Sequence, residues 1–503
     1  MRPGPFSFST SRSAVVLTGS QVVAMAAGFI AQIAVARLLL PAAYGSFAVA
    51  LSVLIWVEPL VSGGLTLALA QAVSTDLRKL PDSVRWVKRI FIPYALVVWG
   101  AYSAASSLIA SALGDSRLKI LLLVAGLELP SIAVLAASRE LLMGVGASGR
   151  QAAVIGGYAL LRASCIIVLA AATHSAVGTL GGNALAALAA AGIAVILLRP
   201  SISRSIQPPP PAVSSDSLPA SVLRAGVPTL VLVLLTQFAL TIDLWIVKRV
   251  MPDPQAIGWY AAGRSFAFIP YMLATGLNLA LFPAVCSELG KGNRIRALSL
   301  TREAVRVLIV CLVPLCAIVV PTASPLARLL FSEQFAGAAL PIRVLTIGLS
   351  CFSIVGTMQA VLIADSRSLF NSVFAGALSI TALILCSGMV PAYGLPGAAW
   401  AITLTGVAGA SFLGLYVCRR LGTVVPLASV IRVTAASVSL YLLARAWHVN
   451  GLWLIGQYIV FTSLYAVFLL GFGEITRGDL HVARAVASDL WRMIQRPWRS
   501  DWD

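Results

Sequence analysis

Apolar runs of about 18 to 25 residues recur from one end of this sequence to the other, each long enough as a helix to cross a hydrocarbon layer of about 30 Å. In that layer only helices or closed barrels satisfy their own backbone, and runs of this length are helical. Fourteen can be read, at 14–36, 44–70, 90–113, 118–141, 151–172, 176–198, 225–247, 258–285, 304–330, 340–363, 370–391, 395–418, 424–446 and 452–473. Charged residues make up 11% of the chain against about 25% in an ordinary soluble domain. The expected fold class is therefore all-α, a polytopic membrane protein with about 14 transmembrane helices.

A net charge of +18 would point to nucleic acid in a soluble protein. Here the basic residues fall in the breaks between apolar runs, so no nucleic-acid partner is expected. With the N-terminus inside, 26 of the 36 Lys and Arg lie in inner loops and termini, eight lie outside, and Arg162 and Arg264 fall within runs. The positive-inside rule then places both termini in the cytoplasm. Seven scattered cysteines and only three histidines give no metal, cofactor or disulfide framework. Ala34-Val35-Ala36 has the form of a signal-peptide cleavage site. The length of the first run, and a matching run later in the chain, favour its retention.

The most specific feature is a duplication. Gly64-Leu65-Thr66-Leu67-Ala68-Leu69-Ala70-Gln71-Ala72-Val73-Ser74 aligns without gaps on Gly276-Leu277-Asn278-Leu279-Ala280-Leu281-Phe282-Pro283-Ala284-Val285-Cys286, with seven identities. Upstream, Arg37 to Pro41 and Gly45 correspond to Lys248 to Pro252 and Gly258. The copies begin at runs one and seven, so both enter the membrane from the same side. That predicts parallel six-helix lobes over 1–198 and 225–420, able to rock about a central cavity. Between them, 199–224 reads as a cytoplasmic linker, because Pro208 to Pro211 among serines favours an extended, solvated path. Two extra membrane helices follow over 421–473, then a basic tail over 474–503. In that tail Asp479 to Arg496 reads as an amphipathic helix lying on anionic lipid.

Glu58, Glu128, Arg162, Asp243 and Arg264 fall inside apolar runs, where an unpaired charge at mid-depth costs at least about 2.5 kcal/mol. Glu58 is followed by Pro59, and Glu128 by Pro130 two residues on. Each glutamate reads either as a cavity carboxylate for a proton or cation, or as a neutral or paired structural group. Arg162 in the neighbouring run is the expected structural partner of Glu128. Asp243 corresponds to Gln32, so both halves place a polar group at one depth of their first helix. Ser52 is the counterpart of Arg264.

Asp243 followed by Gly258-Trp259-Tyr260-Ala261-Ala262-Gly263-Arg264 and Phe282-Pro283 resembles the second half of polysaccharide-export flippases. Ala36 to Pro41 with Tyr44-Gly45, and Tyr393-Gly394-Leu395-Pro396-Gly397-Ala398-Ala399-Trp400-Ala401, are similar to further motifs of the same family. The resemblance covers about residues 10 to 420. It points to the Wzx-type O-antigen and exopolysaccharide flippases of the multidrug/oligosaccharidyl-lipid/polysaccharide exporter superfamily.

The resemblance implies a bacterial inner-membrane transporter, not an enzyme. Such a protein flips polyprenyl-diphosphate-linked oligosaccharide from the inner to the outer leaflet by alternating access. It also implies membrane lipids, a polymerase and glycosyltransferases of the same pathway as partners. The cavity would be lined by runs one, two, seven and eight, carrying Gln32, Glu58, Asp243 and Arg264, with Arg264 and Arg37 as candidates for the diphosphate. The competing expectations are a cation-coupled exporter of small amphipathic compounds, a membrane polymerase or ligase, and a structural scaffold. Short outer loops and the absence of HExxH, GxSxG, GxGxxG or Walker sequences in a credible setting weigh against the enzyme.

Overall fold

The computed structural model describes residues 12–205, 217–365, 367–422, 427–447 and 449–474. The Pro208–Pro211 linker and the tail helix between Asp479 and Arg496 lie outside the described residues. Every regular element among those described is helical. Twelve helices are long and apolar enough to cross a membrane: α1 (Val16–Leu38), α3 (Leu77–Ala112), α4 (Leu118–Gly144), α5 (Ser148–Thr173), α6 (Ala176–Ile202), α7 (Val227–Val250), α8 (Pro254–Gly290), α9 (Arg294–Phe331), α10 (Glu333–Ala364), Leu369–Arg420, α13 (Ala428–Ala446) and α14 (Trp453–Gly471). A bent pair, Pro41–Val57 with Pro59–Thr75, adds α2.

The Leu369–Arg420 element would be about 78 Å long if straight, more than twice the hydrocarbon thickness. Gly394, at φ 63° and ψ −138°, interrupts it with a conformation open to glycine, and Pro396 follows. With its two arms, α11 (369–393) and α12 (395–420), counted separately, fourteen membrane-length helices stand among the described residues. α3 differs from its sequence reading. It starts at Leu77 instead of near residue 90, because the basic segment holding Arg78, Lys79, Arg85, Lys88 and Arg89 is itself helical, through a π-turn at Val87–Phe91. Hydropathy detects the membrane-crossing part of a helix and misses a charged extension of it.

The packing divides into two compact units. One contains Val16–Ala261 with Ser368–Ala398. Within it α5 and α6 approach closely at Gly182, where a Cβ would stand 2.6 Å from the Cys165 carbonyl oxygen. α7 packs on α2 through an aromatic cluster: Trp56 and Trp245 meet edge to face at 5.7 Å, and Phe238 lies 5.9 Å from Trp245. Trp56 Nε1 donates to the Leu234 carbonyl at 3.2 Å, and Trp245 Nε1 to Ser52 Oγ at 2.9 Å. α11 joins α7 through Ser379 Oγ, which donates to the Leu235 carbonyl at 2.6 Å.

The turns from odd to even helices gather at one end of this unit. Pro41 opens α2 after an extended Leu40, the conformation a residue before proline prefers. Gly45 on the first turns of α2 meets Gly258 on the first turns of α8, the two positions that correspond in the sequence repeat. A Cβ on Gly45 would lie 2.8 Å from the Gly258 nitrogen, and one on Gly258 would run into the Pro41 carbonyl. Close by in sequence, Lys248 at the end of α7 pairs with Asp115 in the α3–α4 turn at 2.6 Å.

The second unit consists of the described residues of Met1–Val15, Ala262–Arg367 and Ala399–Asp503. Leu281 and Val285 of α8, Ala297, Leu300 and Ala304 of α9, and Val361 of α10 form one buried cluster. Gly348 and Gly406 let α10 and α12 approach, and Thr403 Oγ1 donates to the Val344 carbonyl at 2.9 Å across them. The last two helices are fastened to α9: Tyr465 donates to the Val310 carbonyl at 2.8 Å, and Tyr458 shares a 2.8 Å hydrogen bond with Thr322.

Beyond α14, buried Glu474 accepts from Arg306 Nε at 2.7 Å and pairs with Arg432 at 3.3 Å, joining α9, α13 and the end of α14. Burial alone would raise its carboxyl, but hydrogen bonds from Ser429, Arg306 and Arg432 outweigh that and hold it below the ordinary glutamate range. Because the folded value is the lower one, the stabilisation is complete above about pH 5 and is lost as the pH falls through the folded value. In detergent, Glu474→Gln is expected to melt below the parent at pH 7 and to converge with it as the pH approaches 3. A gap of constant size across that range would remove the carboxylate clasp from the account.

Candidate functional site

The in-span charges are placed by three local devices. On α2, Pro59 cannot donate to the i−4 carbonyl, Gly63 leaves the helical region at φ −89° and ψ −142°, and the arms Pro41–Val57 and Pro59–Thr75 meet at 40°. Glu58 therefore stands at the bend. Its carboxylate forms no hydrogen bond or ion pair among the described residues, while Arg162, Arg139 and Glu128 all lie within its electrostatic reach. Arg139 is engaged by Glu140, at 2.8 Å.

The second device is the α5–α6 contact at Gly182, which brings the next residue, Asn183, between Glu128 and Arg162. Arg162 Nε donates to Asn183 Oδ1, Asn183 Nδ2 donates to Glu128 Oε2, and the Tyr158 hydroxyl donates to Glu128 Oε1 at 2.9 Å. Glu128 and Asn183 are almost completely buried. The guanidinium and carboxylate are thus connected through an amide that satisfies one group on each side, which a buried charged network requires.

The third device is a tyrosine that caps the polar group of each first helix. Tyr44 donates to Gln32 Oε1 at 3.0 Å, and Tyr260 to Asp243 Oδ2 at 2.7 Å. The repeat aligns Tyr260 about one helical turn beyond Tyr44, so the two copies keep the interaction while the donor shifts along the second helix. All of these residues belong to the first unit. Arg264 belongs to the second, where its guanidinium lies 4.8 Å from the centroid of the Phe268 ring. Arg37 is exposed at the end of α1.

Glu58, Glu128 and Arg162 therefore share one electrostatic environment, and Gln32 and Asp243 each hold a tyrosine. Sequence reasoning missed Asn183, Tyr158, Tyr44 and Tyr260. The available signal for Asn183 was an amide immediately after Gly181-Gly182, where a close helix approach leaves no solvent for it. The helix-two bend also has a counterpart. In α8 the regular helix is interrupted for one residue at Phe268 without leaving the α region, with Pro270 in the next turn, and Pro270 is the repeat equivalent of Glu58.

Solved structures share this all-helical membrane fold. The lipid II flippase MurJ in an inward-closed conformation is 16% identical with a TM-score of 0.70, over 92% of this chain and 99% of that one. An inward-facing multidrug resistance MATE family transporter of the MOP superfamily is 13% identical with a TM-score of 0.66, over 82% of this chain and 98% of that one. A MOP superfamily transporter from Pyrococcus furiosus is 13% identical with a TM-score of 0.60, over 82% and 96%. No curated protein sequence gives a significant match. Residues 34–340 match the family described as polysaccharide biosynthesis protein, and the chain belongs to that family.

Proposed function

We propose that this protein is a flippase. It carries polyprenyl-diphosphate-linked oligosaccharide from the inner to the outer leaflet of a bacterial inner membrane, for O-antigen, exopolysaccharide or capsule assembly. The observation that carries this reading is the match to the polysaccharide biosynthesis family over 34–340, the stretch that holds both copies of the repeat. The physics suits the task. Each sugar hydroxyl left without a partner in hydrocarbon costs several kcal/mol, and a hydrated path through the protein removes that cost while the lipid tail stays in the bilayer.

In this reading the lobes are 1–198 and 225–420, both termini are cytoplasmic, and the pathway's glycosyltransferases and polymerase supply and consume the substrate. Arg264 and Arg37 receive the diphosphate, because guanidinium groups bind phosphate oxygens through paired charge-assisted hydrogen bonds. Glu128 and Arg162 are structural, held by Asn183. Gln32 and Asp243 belong to the cavity wall. An inside-negative potential assists outward movement of the anionic headgroup by about 2.3 kcal/mol per charge per 100 mV.

Depleting the protein is expected to leave lipid-linked oligosaccharide on the inner face and to reduce surface polysaccharide. Substrate reaching the outer face at its normal level after depletion would refute the proposal. One observation favours a second reading, cation-coupled export of small amphipathic compounds: Glu58 is a carboxylate at a helix bend with no hydrogen-bond partner among the described residues. Glu58→Gln tests it. Under that reading the variant abolishes export of cationic dyes from cells, whereas dye accumulation indifferent to the protein leaves the flippase reading alone.

A further inference from the structure

The second unit contains a helix face that its own packing uses only in part: the Tyr271 ring comes within 3.9 Å of where Gly356 of α10 would carry a Cβ. α8 buries one side, through Gly263 against Pro341 and Ala338, Ala274 in a cluster with Leu308 and Leu312, and Leu281 and Val285 below them. Leu273 and Leu279 are half-exposed and belong to an apolar side of the helix suited to acyl chains. Between these two sides runs a third. Arg264, Phe268, Tyr271, Thr275, Asn278 and Phe282 follow one another at spacings of three or four residues, so they share one helical face over about 27 Å.

This face is unlike a lipid-facing one. An arginine, a hydroxyl and an amide at membrane depth are costly against acyl chains and belong where a polar partner or water reaches them. Phe268 and Tyr271 are only partly buried, and their rings meet edge to face at 5.7 Å. Asn278 makes no hydrogen bond to any described residue, and its Oδ1 is shut off from solvent. A buried amide left in that state has unused hydrogen-bonding capacity. On the corresponding face of α2, Ser52 accepts from Trp245 and Trp56 donates to the Leu234 carbonyl, both on α7, whereas Thr66 and Thr275 alike donate to carbonyls of their own helices.

A pyranose ring has an apolar C–H face and a rim of hydroxyls. Partly exposed aromatic rings match the first, and side-chain amides and hydroxyls match the second. We propose that this face of α8 is the track for the sugar portion of the lipid-linked substrate. Phe268 and Tyr271 stack on successive pyranose rings, Thr275 Oγ1 accepts from a sugar hydroxyl while its proton stays on the Tyr271 carbonyl, the Asn278 amide N–H donates to another, and Arg264 holds the phosphate end. The inference rests on the flippase reading and adds to it the residues that recognise sugar as distinct from phosphate.

The test compares two probes in lipid nanodiscs: a polyprenyl diphosphate, and the same lipid carrying a tetrasaccharide. The parent protein is expected to bind the glycosylated lipid more tightly. Phe268→Leu and Tyr271→Leu are each expected to lose about tenfold of that preference while keeping the parental affinity for the bare diphosphate, and Tyr271→Trp is expected to retain it. A preference that survives in the Phe268→Leu/Tyr271→Leu double variant overturns the track and leaves the flippase reading standing. Equal losses for both probes also overturn it, because the rings would then serve only to hold Arg264. A parent that binds neither lipid, or does not distinguish them, refutes the flippase reading itself.

Discussion

Gly258→Val is expected to cost about 3 kcal/mol of stability or more and to remove most of the transport activity. A side chain at residue 258 has nowhere to go, because its first carbon would run into the Pro41 carbonyl oxygen and the neighbouring atoms in its path are backbone too. A flexible side chain can swing aside, but a peptide unit opening a helix moves only with the helix. Gly45→Val meets the reverse of the same contact, with the Gly258 nitrogen 2.8 Å from its Cβ. Gly100, inside α3 and with no atom near its built Cβ, is the control. There alanine should raise stability by about 0.5–1 kcal/mol, the usual difference between these residues within a helix. Thermal unfolding in detergent with a transport assay decides the matter. Equal, small effects at 258 and 100 would mean the two turns are not in contact in the working protein.

The second large effect is expected at Glu128. Replacing it by leucine leaves Arg162 without the carboxylate that Asn183 connects it to, and stripping one partner from a buried charged network costs about 3–5 kcal/mol. Removing both charges should be gentler. Glu128→Leu with Arg162→Met is expected to recover most of the loss, because no uncompensated charge remains. Glu58 is the other anion within reach of Arg162, so adding Glu58→Gln to Glu128→Leu should deepen the damage. A Glu128→Leu/Arg162→Met protein no more stable than Glu128→Leu would show that the network's value lies in its shape and not its charge.

Much of this architecture was legible because apolar runs of membrane length leave few alternatives. The membrane-length helices and the break at Gly394 follow from hydropathy and from proline and glycine punctuation. The bend beside Glu58 was visible as a charge next to a proline. The side-chain pairings were less accessible. Glu128 and Arg162 stood out as charges, but Asn183 between them is set by a helix approach that depends on Gly182 facing Cys165, and one sequence does not reveal which way a glycine-rich helix faces. Tyr44 and Tyr260 were hidden for a related reason: the donor sits a turn apart in the two copies, so an alignment pairs neither with the other. The α8 face was invisible until the buried side of that helix was known, since its residues are ordinary one by one.

The bend at Pro59 in one copy and the break before Pro270 in the other fall at matching places in the repeated segment. A proline deletes a rung from the helical ladder, so distortion there strains fewer hydrogen bonds than anywhere else along the rod. The two copies share a proline at this place while their neighbouring side chains part ways, a carboxylate standing beside it in one and an aromatic ring in the other, and only the first copy turns it into a bend of 40°.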